Sequence, residues 1–140
     1  MKKLITLLSA SFIVFFAFAQ EEATEEKPGP RITFEEEKFD FGDIHQGDKV
    51  EHTFAFENTG TEPLVLTNVQ TTCGCTVPQW PRQPIPPGQK AEVKVAFNSA
   101  GKMGKVTKVV KIISNATTPI TQVTIHTNIL PKKKADTDTK

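Results

Sequence analysis

The residues with the clearest chemical potential in this sequence are its two cysteines, Cys73 and Cys75, which are separated by one glycine. Such thiols can pack as small apolar side chains, close a local disulfide, exchange with a partner's thiol or bind a soft metal ion. On a regular strand, residues i and i+2 are too far apart for a disulfide, so a bond requires a tight turn at Gly74. All four roles are open at this point.

A disulfide between these cysteines would stabilise the fold little, because closing a three-residue ring contributes only about 1.5 kcal/mol through loop entropy. An exposed local bond of this kind is typical of redox-active or regulatory disulfides, so Cys73 and Cys75 are the redox candidates. The sequence has no Cys-x-x-Cys motif at a helix start that would lower a thiol pKa.

Metal binding is the other thiol chemistry. Zinc would need two ligands besides Cys73 and Cys75, and none of the available side chains lies at a metal-site spacing from them. We predict no bound metal and no cofactor. The candidates considered for the missing ligands are His45, His52, His126 and Met103.

A proline-rich stretch follows the cysteines. Residues 77–88 contain five prolines, which force an extended path, and the stretch also holds Trp80, the only tryptophan. Trp80 either covers an open end of the fold or serves, together with Arg82, as an exposed anchor for a partner. Trp80 and Arg82 are therefore the binding-loop candidates.

No catalytic motif accompanies these residues. The sequence lacks G-x-S-x-G, H-E-x-x-H and a phosphate-binding glycine loop, so we name no catalytic residue and expect a binding module rather than an enzyme. The carboxylates of the run Glu35-Glu36-Glu37 are interpreted as a polar turn rather than as catalytic groups.

Alternation with a period of two dominates the chain between residues 31 and 130. Val50, His52, Phe54 and Phe56 alternate with polar residues, and the segments around 91–98 and 123–129 repeat the pattern. Weaker strand signals occur at 32–35, 38–41, 64–69 and 106–114, and Gly, Pro and Asn turns separate them. About seven short strands without a helix predict an all-β, immunoglobulin-like antiparallel β-sandwich.

Several of these motifs occur together in one known family. Phe39-Asp40-Phe41-Gly42-Asp43, Phe54-Ala55-Phe56-Glu57-Asn58-Thr59-Gly60, Cys73-Gly74-Cys75-Thr76, Pro87-Gly88 and Ser114-Asn115 resemble the exported bacterial family catalogued as domain of unknown function 1573. The resemblance covers about residues 33–129. It implies an immunoglobulin-like sandwich similar to the major sperm protein and Hydin-type domains, which are binding modules, and it implies no reaction.

The ends of the chain predict its destination. Residues 1–19 have the charged start, the apolar run and the Ala17-Phe18-Ala19 site of a signal peptide, so we predict cleavage after Ala19 and export to the periplasm or the exterior. Residues 20–30 are predicted to be a flexible acidic linker and residues 131–140 a disordered tail. We expect no membrane-spanning segment in the mature chain and no nucleic-acid partner.

Together these features predict an exported, non-enzymatic interaction module that binds a protein or another cell-envelope component. Its predicted working surface is the segment from Cys73 to Gly88, and a strand edge that accepts a partner's strand is a second route. The alternative is a thiol redox or metal-binding protein that uses the Cys-Gly-Cys motif. Neither the ligand nor the redox state of Cys73 and Cys75 follows from the sequence.

Overall fold

A computed structural model describes residues 27–133 and contains eight strands in this range. The predicted signal peptide lies outside the described residues, as do residues 20–26 of the predicted linker and 134–140 of the predicted tail. No helix in the described range is long and apolar enough to cross a membrane. The strands are β1 (Ile32–Phe34), β2 (Lys38–His45), β3 (Lys49–Asn58), β4 (Leu66–Thr71), β5 (Thr76–Gln79), β6 (Lys90–Asn98), β7 (Gly104–Ser114) and β8 (Ile120–Leu130).

The strands form two sheets of four, which confirms the predicted all-β sandwich. The first sheet has the order β1-β3-β6-β5 and the second has the order β2-β8-β7-β4. The apolar positions predicted from the alternation in β3, β6 and β8 face the space between the sheets. The largest fully buried side chains there include Phe54, Phe56, Phe97, Ile125 and Ile129.

Two features differ from the predicted antiparallel arrangement of about seven strands. First, β2 and β8, which are neighbours in the second sheet, pair in parallel. Second, residues 76–79 form a strand, β5, within the stretch that was predicted to be an extended loop. Pro78 is compatible with β5 because that strand lies at a sheet edge, where an unpaired main-chain nitrogen is tolerated.

The packed part of the chain includes Gly29 and Pro30, which were assigned to the flexible linker from the sequence. Both residues are buried. Thr61 donates its main-chain N–H to the Gly29 oxygen over 2.9 Å, and Thr117 donates to the Pro30 oxygen over 2.9 Å. The Gly29-Pro30 end of the predicted linker is therefore packed against the loops of the sandwich.

Candidate functional site

Cys73 and Cys75 form a disulfide in the turn between β4 and β5, and their Cα atoms are 5.3 Å apart. Because β4 lies at the edge of one sheet and β5 at the edge of the other, this turn carries the chain across the side of the sandwich. Both cysteines are half-buried, and Cys75 packs against the core. Among the roles left open by the sequence, the structure contains the local disulfide.

Two threonines hold the disulfide turn in place. The Thr71 hydroxyl donates to the main-chain oxygens of Cys73 and Thr76, at 3.0 and 3.2 Å. Thr76 is buried, and its main-chain N–H donates to the Cys73 oxygen over 3.3 Å. The turn is therefore fixed by hydrogen bonds in addition to the sulfur bridge.

Gly74 lies in the turn that was predicted between the two cysteines. The turn forms without a positive φ at Gly74, and the glycines that have a positive φ lie elsewhere, among them Gly42 and Gly88. A Cβ atom built on Gly74 would have no neighbour within 4 Å. Neither backbone conformation nor crowding within the described structure requires glycine at position 74.

Trp80 and Arg82 are in direct contact at the far end of β5. The Cζ atom of the Arg82 guanidinium lies 3.9 Å from the centroid of the Trp80 ring, which is a cation–π contact. Trp80 is half-buried and packs against the core, whereas Arg82 is exposed. Trp80 thus covers the core, which is the first of the two roles considered from the sequence, and its ring also contacts the exposed Arg82 guanidinium. Binding of a partner by the two residues stays a prediction.

The indole nitrogen of Trp80 has an uncommon environment. Trp80 Nε1 is buried and has no hydrogen-bond partner. Leaving a buried donor unpaired costs about 1–3 kcal/mol. Because Trp80 keeps this cost while its ring packs against the core and Arg82, its conformation is set by packing rather than by its polar group.

An open groove of about 790 Å³ lies beside Trp80 on the outer side of the first sheet. Its apolar lining includes Ala55 and Ala91, so small side chains leave room there. Charged side chains of both signs line the rest of it. The groove is lined by Glu35, Ala55, Gln79, Trp80, Pro81, Lys90, Ala91, Glu92 and Lys94.

Three of the charged side chains that line this groove, Glu35, Lys90 and Lys94, take part in exposed ion pairs. Lys90 Nζ donates to Glu35 Oε1 over 2.6 Å, and Lys94 Nζ lies 2.6 Å from Glu51 Oε2. The hydrogen bond and charge of Glu35 raise the pKa of the Lys90 ammonium, and the charge of Glu57 adds to the increase. Lys90 therefore stays protonated across the physiological pH range.

The disulfide and Trp80 do not share a site. They lie at opposite ends of β5, whose four residues span about 13 Å. Cys75 lines a separate depression of about 240 Å³ together with Val77, which is 56% exposed. The structure therefore divides the predicted working surface into a disulfide turn and a groove with the Trp80–Arg82 pair at its rim.

Asn58, which the sequence offered only as part of a family motif, positions the proline-rich stretch. It is fully buried at the end of β3, and its Nδ2 donates to the main-chain oxygens of Glu62 and Ile85, each at 2.8 Å. Its Oδ1 accepts the Gly60 N–H at 3.0 Å, and its main-chain oxygen accepts the Gly88 N–H at 2.7 Å. A strand that ends in asparagine before a Thr-Gly turn is the sequence signal for such an anchor.

Two of the three histidines considered as metal ligands, His52 and His126, have other side-chain contacts. His52 stacks on Phe39 with ring centroids 3.5 Å apart and shares a 2.6 Å hydrogen bond with Glu36, and His126 shares a 2.9 Å hydrogen bond with Thr107. Within residues 27–133, no group of three or more His, Cys, Asp or Glu side chains is arranged to hold a metal ion.

The fold and the site define an immunoglobulin-like β-sandwich with a disulfide turn and an aromatic groove rim. Residues 32–129 match the family described as protein of unknown function DUF1573, and the chain belongs to that family. No curated protein matches the sequence.

Solved structures support the same fold. A protein of unknown function from Porphyromonas gingivalis W83 is 19% identical with a TM-score of 0.62, and the match covers 71% of this chain and 46% of that protein. The chain thus spans less than half of that relative.

Two further similar structures are PapD-like or chaperone domains. PapD-like domain 7 of human CEP192 is 10% identical with a TM-score of 0.63, covering 91% of this chain and all of that domain. The YadV chaperone is 12% identical with a TM-score of 0.53, covering 70% of this chain and 51% of the chaperone. At these identities the likeness establishes the fold alone.

Proposed function

We propose that the chain is an exported, non-enzymatic binding module of the bacterial cell envelope whose protein partner contacts the groove beside Trp80 and Arg82. The observation that carries the proposal is the Arg82 guanidinium lying 3.9 Å from the Trp80 ring at the rim of the groove. Tryptophan and arginine are the residue types that most often dominate the binding energy of an interface.

The Trp80–Arg82 pair is held before any partner binds. Trp80 packs against the core, β5 fixes the chain before it, and the Asn58 hydrogen bond to Ile85 fixes the chain after it. The prolines between these points restrict the backbone further. Binding at this surface would therefore cost little conformational entropy, which favours affinity.

The charges of the groove favour a protein partner over a nucleic acid. Glu35 and Glu92 line it together with Lys90 and Lys94, whereas nucleic-acid surfaces concentrate positive charge. The presence of a chaperone among the similar structures also supports a protein partner, because a chaperone's ligand is another protein. Export rests on the signal-peptide pattern of residues 1–19.

Crosslinking in intact cells tests the partner surface. We expect Arg82→Ala, which leaves the core intact, to reduce the crosslinked partner, and Trp80→Ala to remove it. The control variant Met103→Ala changes a side chain that is 54% exposed in the β6–β7 loop and should leave the crosslink unchanged. If Trp80→Ala and Arg82→Ala both leave every crosslinked product unchanged, the groove rim is not the binding surface.

Export has its own test, which does not depend on the partner. N-terminal sequencing of the protein purified from its native cells should begin at Gln20, directly after the predicted cleavage site. A chain that retains Met1 in the cytoplasmic fraction would contradict export, even if the crosslinking experiment succeeded.

A second candidate function is thiol–disulfide exchange, which the observed Cys73–Cys75 bond favours. A partner thiolate would attack one sulfur to form a mixed disulfide and release the other as a thiolate. A second thiolate of the partner would then attack the partner's sulfur in the mixed disulfide and release the remaining cysteine as a thiolate. The partner ends as a disulfide, and Cys73 and Cys75 end as a dithiol.

Single-cysteine variants separate this candidate from a structural bond. Cys73→Ser and Cys75→Ser each leave one thiol, which should accumulate as a mixed disulfide with a partner if exchange occurs. The double serine variant should lose at most about 1.5 kcal/mol of folding free energy, because the closed ring is short. Fully oxidised native protein, with no mixed disulfide from either single variant, would leave the bond with a structural role only.

A further inference from the structure

Each sheet of the sandwich has two edge strands, and three of the four edges carry features that prevent another strand from pairing there. β1 is only three residues long. β2 carries Lys38, Asp40 and Asp43 and has an irregular register between Asp40 and Asp43. Short length, charge and irregularity are the usual protections of sheet edges.

The free edge of β5 offers no N–H donor to another strand, because of hydrogen bonds within the disulfide turn and because of Pro78. The Asn98 N–H donates to the Cys75 oxygen over 2.9 Å, so the main-chain groups of Cys75 point toward β6. Because these directions alternate along an antiparallel strand, the main-chain groups of Thr76 and Pro78 point toward the free edge. Thr76 already donates to Cys73 and accepts from Thr71, and proline has no N–H to donate. A partner strand would find no free donor at either position.

β4 differs, because its sequence from Leu66 to Thr71 contains no proline and no charged residue. Its neighbour β7 fixes which main-chain groups point outward. The Ser114 N–H donates to the Pro119 oxygen, toward β8, whereas the Ile113 oxygen accepts from the Thr67 hydroxyl, toward β4. The main-chain N–H and C=O groups of odd-numbered residues of β7 therefore point toward β4, and those of even-numbered residues point toward β8.

The register then leaves two residues of β4 facing the free edge. Val69 lies opposite Ile112 and Thr71 lies opposite Val110, both of which are even-numbered positions of β7. The N–H and C=O groups of Val69 and Thr71 must therefore point away from β7, two residues apart. Within residues 27–133, neither of these two N–H groups donates a hydrogen bond to another loop or turn of the fold. This spacing is the one that an added strand uses.

The charge around β4 has a single sign. β4 and β7 together contain no acidic residue, and of the three lysines of β7, Lys111 lies in the part that pairs with β4, whereas Lys105 and Lys108 lie beyond it. Lys111 is paired in register with Gln70, and both line a shallow depression of about 240 Å³ beside Thr72. An acidic side chain on an added strand would lie one strand away from Gln70 and within reach of the Lys111 ammonium.

We propose that the β4 edge binds an extended, acidic segment of another protein by strand addition, with Val69 and Thr71 exchanging main-chain hydrogen bonds with it. This inference goes beyond the Trp80–Arg82 surface, because β4 belongs to the other sheet. Main-chain bonds would supply affinity, and Lys111 would favour acidic sequences over basic ones.

The test uses two synthetic eight-residue peptides, one alternating valine with glutamate and one alternating valine with lysine, added to the protein as it is purified. We expect the glutamate peptide to slow hydrogen exchange of the Val69 and Thr71 amides by at least about tenfold, measured by NMR. The lysine peptide should leave their exchange unchanged. Exchange of Val93 in β6 is the internal control.

A pair of variants at one position separates the main chain from the side chain. Val69→Pro and Val69→Ala both remove core volume, but only Val69→Pro removes the N–H that faces the edge, while the β4–β7 hydrogen bonds are kept. We expect peptide binding about tenfold weaker in Val69→Pro than in Val69→Ala, as the loss of one hydrogen bond implies. Lys111→Gln should weaken it about threefold, as for an exposed ion pair.

The remaining outcomes overturn the proposal. If neither peptide protects Val69 and Thr71, or if both protect them equally, the β4 edge does not select acidic strands. If sedimentation shows a dimer that Val69→Pro dissociates and the glutamate peptide does not, the edge pairs with a second copy of this chain instead. None of these results bears on the crosslinking test of Trp80 and Arg82, so the two proposals fail separately.

Discussion

The Asn58 side-chain amide donates a 2.8 Å hydrogen bond to the main-chain oxygen of Ile85, which joins the end of β3 to the proline-rich stretch 27 residues later. Asn58 is fully buried, and its side chain makes three further hydrogen bonds, to Glu62, Gly60 and Arg31. One side chain therefore connects three separate loops at this end of the sandwich.

Asn58→Ala should destabilise the fold by about 3 kcal/mol, because it leaves the buried partners of the amide unsatisfied. Urea unfolding measures the change in free energy. Asn68→Ala, at an exposed position of β4, is the matched control and should change stability by less than about 0.5 kcal/mol. Equal stability of the two variants would show that the Asn58 network contributes nothing.

Replacing Gly60 and Gly74 by alanine should have opposite effects on the stability of the fold. A Cβ atom on Gly60 would lie 2.2 Å from the main-chain oxygen of Gly29, so Gly60→Ala must displace backbone and should cost more than about 2 kcal/mol. A Cβ on Gly74 meets nothing within 4 Å, so Gly74→Ala should leave both stability and the disulfide unchanged. Thermal unfolding and thiol titration measure the two effects.

A loss of partner crosslinking in Gly74→Ala without a loss of stability would be informative. It would mean that a partner approaches the bare backbone between the cysteines, which would move the binding surface from the groove to the disulfide turn. Unfolding of Gly74→Ala would contradict the open space observed around that residue.

Trp80 offers a test of its buried, unpaired indole nitrogen. Trp80→Phe removes the N–H while keeping an aromatic ring on the core, so we expect a stability change of less than about 1 kcal/mol. Trp80→Ala removes the ring and should cost about 3 kcal/mol. Chemical unfolding followed by circular dichroism measures both variants. A loss in Trp80→Phe as large as that in Trp80→Ala would mean that the nitrogen has a partner after all.

The Lys90–Glu35 pair predicts a pH dependence. Because Glu35 raises the pKa of Lys90 in the folded state, the contribution of the pair is fully present below the ordinary lysine pKa, about 10.4, and is lost as the pH rises through the raised value. The difference in Tm between the wild type and Lys90→Gln should therefore be constant from pH 7 to 9 and shrink above pH 10.4. A difference that grows with rising pH would contradict this assignment.

Much of the fold could be predicted because it depends on local alternation. Val93, Val95 and Phe97 in β6 and Val123, Ile125 and Ile129 in β8 repeat every second residue, and all six are buried as predicted. The fifth strand was missed because Pro78 argues against a strand, whereas at an edge its missing N–H costs nothing. The parallel pairing of β2 with β8 depends on contacts between distant segments, which periodicity does not encode.

The candidate site was predicted only as a set of residues. The sequence indicated Trp80, Arg82, Cys73 and Cys75, but it placed them on one surface, and the unpredicted strand β5 separates them. The groove beside Trp80 could not be predicted, because it depends on Ala55 and Lys90, which come from two different strands. Its charged lining is visible only once the register of the first sheet is known.

The position of β8 has a consequence for synthesis of the protein. The last strand lies inside its sheet, between β2 and β7, and its pairing with β2 joins residues more than 80 positions apart. Until residues 120–130 have left the ribosome, Val110 and Ile112 of β7 lack their neighbouring strand in the sheet, and the core cannot form completely. A protein that we propose to be exported would thus remain unfolded, and able to pass through a narrow translocation channel, until β8 has been made.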